Sequence, residues 1–249
     1  MPTTGERRLG VAAMGASLGA LLVGLVAVTV GPGGLAGASG SGSGSVKAEL
    51  AQAKTELLIK ADLPKRWKGQ GSVSTDKGSS PDTFPGEDQL AGCLGVAKSI
   101  LEQNAPSVTS PNFENSSQTD YAQENLSIFA TAKEGQVQYA SLANPKVPAC
   151  MTALLQGPQK SEIESSFPTG SKVGTITVTP VPRAELVPQS TGFLLSFPVT
   201  DQGLTLQTSI GEVVSVRGTS GVQLTFTSIG PPFPASLEKH LVTLAYNRS

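Results

Sequence analysis

Few side chains in this sequence have reactive chemistry to offer. His240 is the single histidine among 249 residues. It stands between Lys239 and Leu241 in a run with helical spacing. A Ser-His-Asp relay would have to use it, with the serine held on a sharp turn. No Gly-x-Ser-x-Gly elbow is present, and a histidine on a helix surface accounts for His240 without any reaction. One histidine and two cysteines do not make a zinc centre. The calcium-loop, Walker and dinucleotide-binding glycine patterns are missing, so no metal and no cofactor is expected. Acids occur in polar runs, Glu162 with Glu164 and Asp82 with Glu87 and Asp88. A glycosidase needs two carboxyls about 5–10 Å apart across a sugar cleft, and nothing in the spacing singles out a pair. The expectation is a chain with no catalytic residue. A secreted hydrolase using His240 or these acids is the alternative.

Cys93 and Cys150 are the only cysteines. In an oxidising compartment a lone pair is most simply a disulfide, here closing a loop across a separation of 57 residues. Two separate buried thiols is the competing reading; a redox pair would call for a Cys-x-x-Cys that is absent. Trp67, the one tryptophan, follows Asp62-Leu63-Pro64 and precedes a Gly/Ser/Pro/Asp-rich stretch. It either anchors that stretch in the core or lines a ligand cleft or partner surface. It is the one candidate binding residue.

The compartment follows from the N-terminus. Arg7 and Arg8 precede Leu9–Val30, which carries no charge, and Ala36-Gly37-Ala38 has the small residues of a signal-peptidase site. Cleavage would fall between Ala38 and Ser39. The uncharged stretch is also long enough to span a bilayer uncleaved, and the basic pair would then keep the N-terminus inside. Both outcomes place residues 39–249 outside the cytoplasmic membrane, secreted or in the cell envelope. The membrane is met only through the N-terminal segment. No cysteine near Ala38 allows lipid attachment. Residues 39–45 alternate Ser and Gly as a flexible tether. The net charge of −1 declares no basic face for nucleic acid.

A single α+β domain over 46–249 is expected, an antiparallel sheet flanked by helices with a C-terminal helix packing on it. Leu50, Leu57 and Leu58 mark a helix over 46–61. Lys68–Gly86 reads as loop, and a second helix starts at Asp88 and carries Leu90, Cys93, Leu94, Ile100 and Leu101. A short strand is expected over 108–113 and a longer one over 121–133, then helices over 137–143 and from Pro148, with Ile163 and Phe167 extending the last apolar face. Period-two alternation marks strands through Val173–Thr179, Phe193–Phe197, Leu204–Leu206, Val213–Val216 and Val222–Thr227, each with one polar face. Leu237, Leu241 and Leu244 share one face of the closing helix.

The segment Leu57-Leu58-Ile59-Lys60-Ala61-Asp62-Leu63-Pro64 with Trp67, the two cysteines almost sixty residues apart, and Gly221–Ile229 running into Pro-Phe-Pro and a helix resemble actinobacterial exported sensor-like domains. The family includes the extracellular domains of mycobacterial serine/threonine kinases of the PknH type and, in style, Mog1/PsbP-like lipoproteins. Lys65-Arg66 stands where small residues are usual, and one disulfide is available where the kinase domains have two. The resemblance implies a helix-flanked antiparallel sheet and a cleft for a ligand, with no binding residue transferred. The function expected is a non-catalytic binding or sensor-like module of the cell envelope. Its partner would be a small molecule, an envelope component or a protein. An envelope assembly factor without a small ligand is a further alternative.

Overall fold

The computed structural model describes residues 43–78, 85–98, 105–181 and 187–249. The export segment, the Ala38–Ser39 junction, Asp82, Ile100 and Leu101 lie outside them.

Ten strands form one sheet: β1 (Lys68–Gln70), β2 (Ser74–Asp76), β3 (Ser107–Thr109), β4 (Asn112–Glu114), β5 (Asp120–Ile128), β6 (Lys172–Val173), β7 (Thr177–Pro180), β8 (Ser190–Asp201), β9 (Leu204–Arg217) and β10 (Ser220–Ile229). The main path runs β1-β4-β5-β10-β9-β8-β6, with β2-β3 added beside β5 and β7 beside β8. Every pairing is antiparallel. The long strands β8, β9 and β10 follow one another in sequence, so tight turns suffice to join them. At the first of these turns Gln202 takes φ 48° and Gly203 φ 81°, and at the second Gly218 takes φ 59°.

Helices cover both faces. On one lie α1 (Ser43–Glu56) and α6 (Ala235–Arg248). Leu50, Ala53 and Leu57 pack on Val108 and Leu126, while Leu241, Val242 and Ala245 pack on Val213, Val222, Leu224 and Phe226. On the other lie α2 (Glu87–Leu94), α3 (Ala132–Leu142), α4 (Val147–Gln156) and α5 (Lys160–Ser165). Their apolar residues, among them Leu90, Leu142, Leu154 and Ile163, close on Phe193, Leu195, Phe197 and Ile210. The result is the expected α+β architecture with its C-terminal helix on the sheet.

Local departures from the expected elements have local causes. The first helix stops at Glu56 rather than Ala61 because carboxylates take the next backbone donors. Glu124 Oε2 accepts from Leu58 N–H (2.6 Å) and Asp62 Oδ2 from Ile59 N–H (2.8 Å). The expected loop over 68–86 contains β1 and β2, whose residues are all exposed and so carry no apolar signature. The second helix starts at Glu87 behind a left-handed Gly86 and ends before a left-handed Gly95, a common helix stop. The strand over 121–133 ends at Ile128. The Thr131 hydroxyl accepts from Glu134 N–H and Glu134 from Ala130 N–H, which starts α3 five residues before Val137. Gly157-Pro158 breaks the helix carrying Cys150, so Ile163 falls on the separate α5 and Phe167 lies beyond it.

Candidate functional site

Directly paired residues of an antiparallel sheet share a face, and this register sorts the side chains of the central strands. On the α1/α6 side they are Ala122, Leu126, Val213, Val222, Leu224 and Phe226, with Glu124 the polar exception. The opposite side is different. One cross-strand row reads Phe193, Glu212, Thr225, Gln123, and the next reads Thr191, Val214, Gln223, Asn125, Thr109. Thr227 and Ser127 flank them on the same face. The alternation of β10 predicts one wet face and one dry face. Instead Gln223, Thr225 and Thr227 are buried along with Val222, Leu224 and Phe226. A polar strip thus runs under the helix layer from β9 to β3.

The β3 and β5 end of the strip is internally bonded. Asn125 Nδ2 donates to Thr109 Oγ1 (2.9 Å) and Ser107 Oγ (3.4 Å), and Ser127 Oγ donates to Asn125 Oδ1 (3.2 Å). Gln123 Nε2 donates to the Ser110 carbonyl (3.3 Å). The β9 end is not. Glu212 is wholly buried; the Gln223 amide lies close to its carboxyl without reaching good hydrogen-bond geometry, and no other group bonds either carboxyl oxygen or Gln223 Nε2. Burial drives the Glu212 carboxyl well above its ordinary pKa. The nearby Gln223 amide favours the charged form but does not offset burial. An apolar side chain here would cost nothing of the kind.

Glu124 is the second fully buried acid. Burial raises its pKa to about 7, against the Leu58 N–H and the Arg248 charge, which lower it; Asp62 and Glu56 add to the rise. Arg248 holds Asp62 through two bonds of 2.7 and 2.8 Å and reaches the Leu57 carbonyl. This cluster ties the chain after α1 to β5 and to the end of α6. Glu124 and Glu212 lie on opposite faces of the sheet, so they cannot act together across one cleft.

The residues singled out by type alone are scattered. Cys93 and Cys150 form the disulfide, with Cα atoms 5.7 Å apart, joining α2 to α4. Cys93 is exposed and Cys150 buried. A shallow concavity of about 330 Å³ beside them is lined by Leu90, Ala153, Leu154 and Pro158. Trp67 is 5% exposed and meets Phe233 edge-on at 5.9 Å, packed with Phe113 and Phe226; it lies in the core on the α6 side and lines neither this concavity nor the one at α1. That one, of about 350 Å³, runs between α1 and the β5 and β10 ends past Glu49, Gln52, Glu56, Ile128 and Phe129. His240 is exposed on α6. Glu162 and Glu164 sit on α5, Glu164 near Lys160, while Glu87 is buried and both it and Asp88 meet Lys98. Among the described residues no group of three or more His, Cys, Asp or Glu side chains could hold a metal ion. Among them too, no helix is long and apolar enough to cross a membrane.

Glu212, Gln223, Asn125 and Glu124 escape a search by residue type. The one signal for Glu212 is a lone acid inside the apolar run Ile210–Val216; for Glu124 it is an acid on the strand face that carries Ala122 and Leu126.

No protein-family model matches the chain, and no curated protein matches it. Among solved structures, the extracellular domain of PknH from Mycobacterium tuberculosis is similar at a TM-score of 0.43 and 12% identity, over 80% of this chain and 95% of that one. The likeness is distant, and no residue role or ligand is carried over from it.

Proposed function

We propose that this chain is a non-catalytic, extracytoplasmic binding or sensor-like module of the cell envelope, and that its ligand meets the polar strip around Glu212. One observation carries the reading: a wholly buried carboxyl with no well-formed hydrogen bond to either oxygen, its one polar neighbour being the Gln223 amide. Burial of such groups costs free energy unless something completes their hydrogen bonds. The strip also spans three central strands, β5, β10 and β9, whose registers are fixed over nine or more residue pairs, so the groups are held by an extensively paired part of the sheet. The separation of the two buried acids to opposite faces supports binding over acid–base hydrolysis. The uncharged N-terminal stretch with its small-residue cleavage site supports a place outside the membrane, and the Cys93–Cys150 bond fits an oxidising compartment.

The test is retention. Residues 39–249, immobilised, are exposed to envelope extract from the source cells, in parallel with Glu212→Gln and Glu212→Met. A species held by the natural sequence and lost from both variants is the expected result. No retained species, or equal retention by all three proteins, would overturn the reading.

A further inference from the structure

We propose that Glu212 is the anionic anchor for an organic cation, an amine lying along the row Glu212–Thr225–Gln123. The inference rests on the binding role proposed for this face and adds the charge and length of the ligand. The sign of charge comes first. Among the described residues of β3, β5, β8, β9 and β10 on this face, none is basic. An anionic ligand would meet the carboxyl with no cation to offset it. A cation neutralises it, and its N–H donors match what the row has to give: carboxyl oxygens with no well-formed bond, the Thr225 hydroxyl and the Gln123 carbonyl oxygen, whose own amide nitrogen is already engaged.

Length and access come from the register. Glu212 pairs with Thr225, and Thr225 with Gln123, so the row crosses two strand gaps, roughly 10 Å. Exposure rises along it: Glu212 has none, Thr225 is buried and Gln123 is half-buried. The open end is therefore at β5, and Phe193, buried on β8, closes the other. A short diamine matches the length of this row, which would put one ammonium on Glu212 and the second near Gln123.

Burial raises the Glu212 carboxyl well above its ordinary pKa, and an ammonium beside it favours the ionised form, so binding is coupled to proton release. The other ionisable groups on the elements of this side are Tyr121, pushed to about 12, Glu114 held by Gln70, Glu87 and Asp88 with Lys98, Lys133, Glu134 and Tyr139 on α3, Lys146 at the start of α4, and Lys160, Glu162 and Glu164 on α5. None of them contributes to the rise at Glu212, which comes from burial.

The experiment is calorimetric titration of residues 39–249 with 1,5-diaminopentane and with its neutral counterpart 1,5-pentanediol. Each is run at pH 6 and pH 8 in two buffers of different ionisation enthalpy. Saturable binding of the diamine alone is expected, with proton release and tighter binding at pH 8 than at pH 6. Glu212→Gln should abolish it with an unchanged circular dichroism spectrum. Gln123→Leu, at the half-exposed end, should weaken it roughly three- to ten-fold. Diol binding equal to the diamine, or diamine binding that survives Glu212→Gln, would overturn the cation while leaving a neutral ligand and the binding role in place. Failure of the diamine to bind at millimolar concentration would also overturn it, and the binding role would still stand or fall on retention from envelope extract.

Discussion

Replacing Glu124 with glutamine removes an interior charge and keeps the oxygen that receives the Leu58 N–H. In the folded chain burial raises this carboxyl from 4.5 to about 7. A group whose pKa is raised on folding contributes stability below its unfolded value and loses that contribution as pH climbs through the folded one. The window is therefore pH 4.5 to 7, and the full difference is about 3 kcal/mol. The natural protein should lose about 2.5 kcal/mol between pH 5 and pH 8 from this residue. Glu124→Gln, set equal to it at pH 5, should exceed it at pH 8 by about 2.5 kcal/mol. Glu124→Ala, which leaves the Leu58 N–H unpaired, should be weaker at both pH values by about 1–3 kcal/mol. Urea unfolding followed by circular dichroism at half-unit pH steps reads all three curves. Parallel curves for the natural protein and the glutamine variant would refute the reasoning, since the buried acid would then be titrating as it does in the unfolded chain.

Arg248→Met removes both bonds to Asp62 and should cost about 2 kcal/mol by urea unfolding at pH 7. Burial tends to raise the Asp62 pKa, but the Arg248 bond and charge and the Ile59 N–H together lower it. The stability it contributes is therefore present above the unfolded value of 3.8 and fades as pH falls below that, where the variant and natural curves should converge. Serine at both Cys93 and Cys150 should cost about 4 kcal/mol by the entropy of the closed loop, read as a lower urea midpoint; non-reduced peptide mass spectrometry should first show the two joined. Gly135→Ala should destabilise by about 1 kcal/mol in thermal melts even though alanine favours a helix. A Cβ there would stand 2.9 Å from Val216 Cγ1 and 3.0 Å from Phe129 Cδ2, so a more stable variant would mean that α3 can lift from the sheet.

The parts of the fold that announce themselves in sequence are those where pattern and burial coincide. Val222, Leu224 and Phe226 alternate with Gln223, Thr225 and Thr227, and β10 lies there. Leu241 faces the core from the closing helix, and Cys93 reaches Cys150. The parts that stay silent are those where pairing or side chains override pattern. β1 and β2 are three-residue strands with every side chain exposed, so only their partners define them. The end of α1 is set by Glu124, 66 residues from Leu58 in sequence. The candidate site is silent for a further reason. Gln223 and Thr225 read as the wet face of an amphipathic strand, and only the helix layer over them turns that face into buried polar surface. Trp67, conspicuous by type, packs with Phe233 and Phe226, where an aromatic body is simply useful core.

The central claim is that Glu212 is kept for what it binds, at a cost to the fold. The most direct measurement is the unfolding free energy of Glu212→Met at pH 7, a replacement of similar length with no polar group to desolvate. If the carboxyl has no partner within the protein, the methionine variant should be more stable than the natural sequence, by about 1–4 kcal/mol, while it loses the species retained from envelope extract. A methionine variant that is less stable by a comparable amount would show that Glu212 is a structural group satisfied by its own neighbours, and would contradict the account.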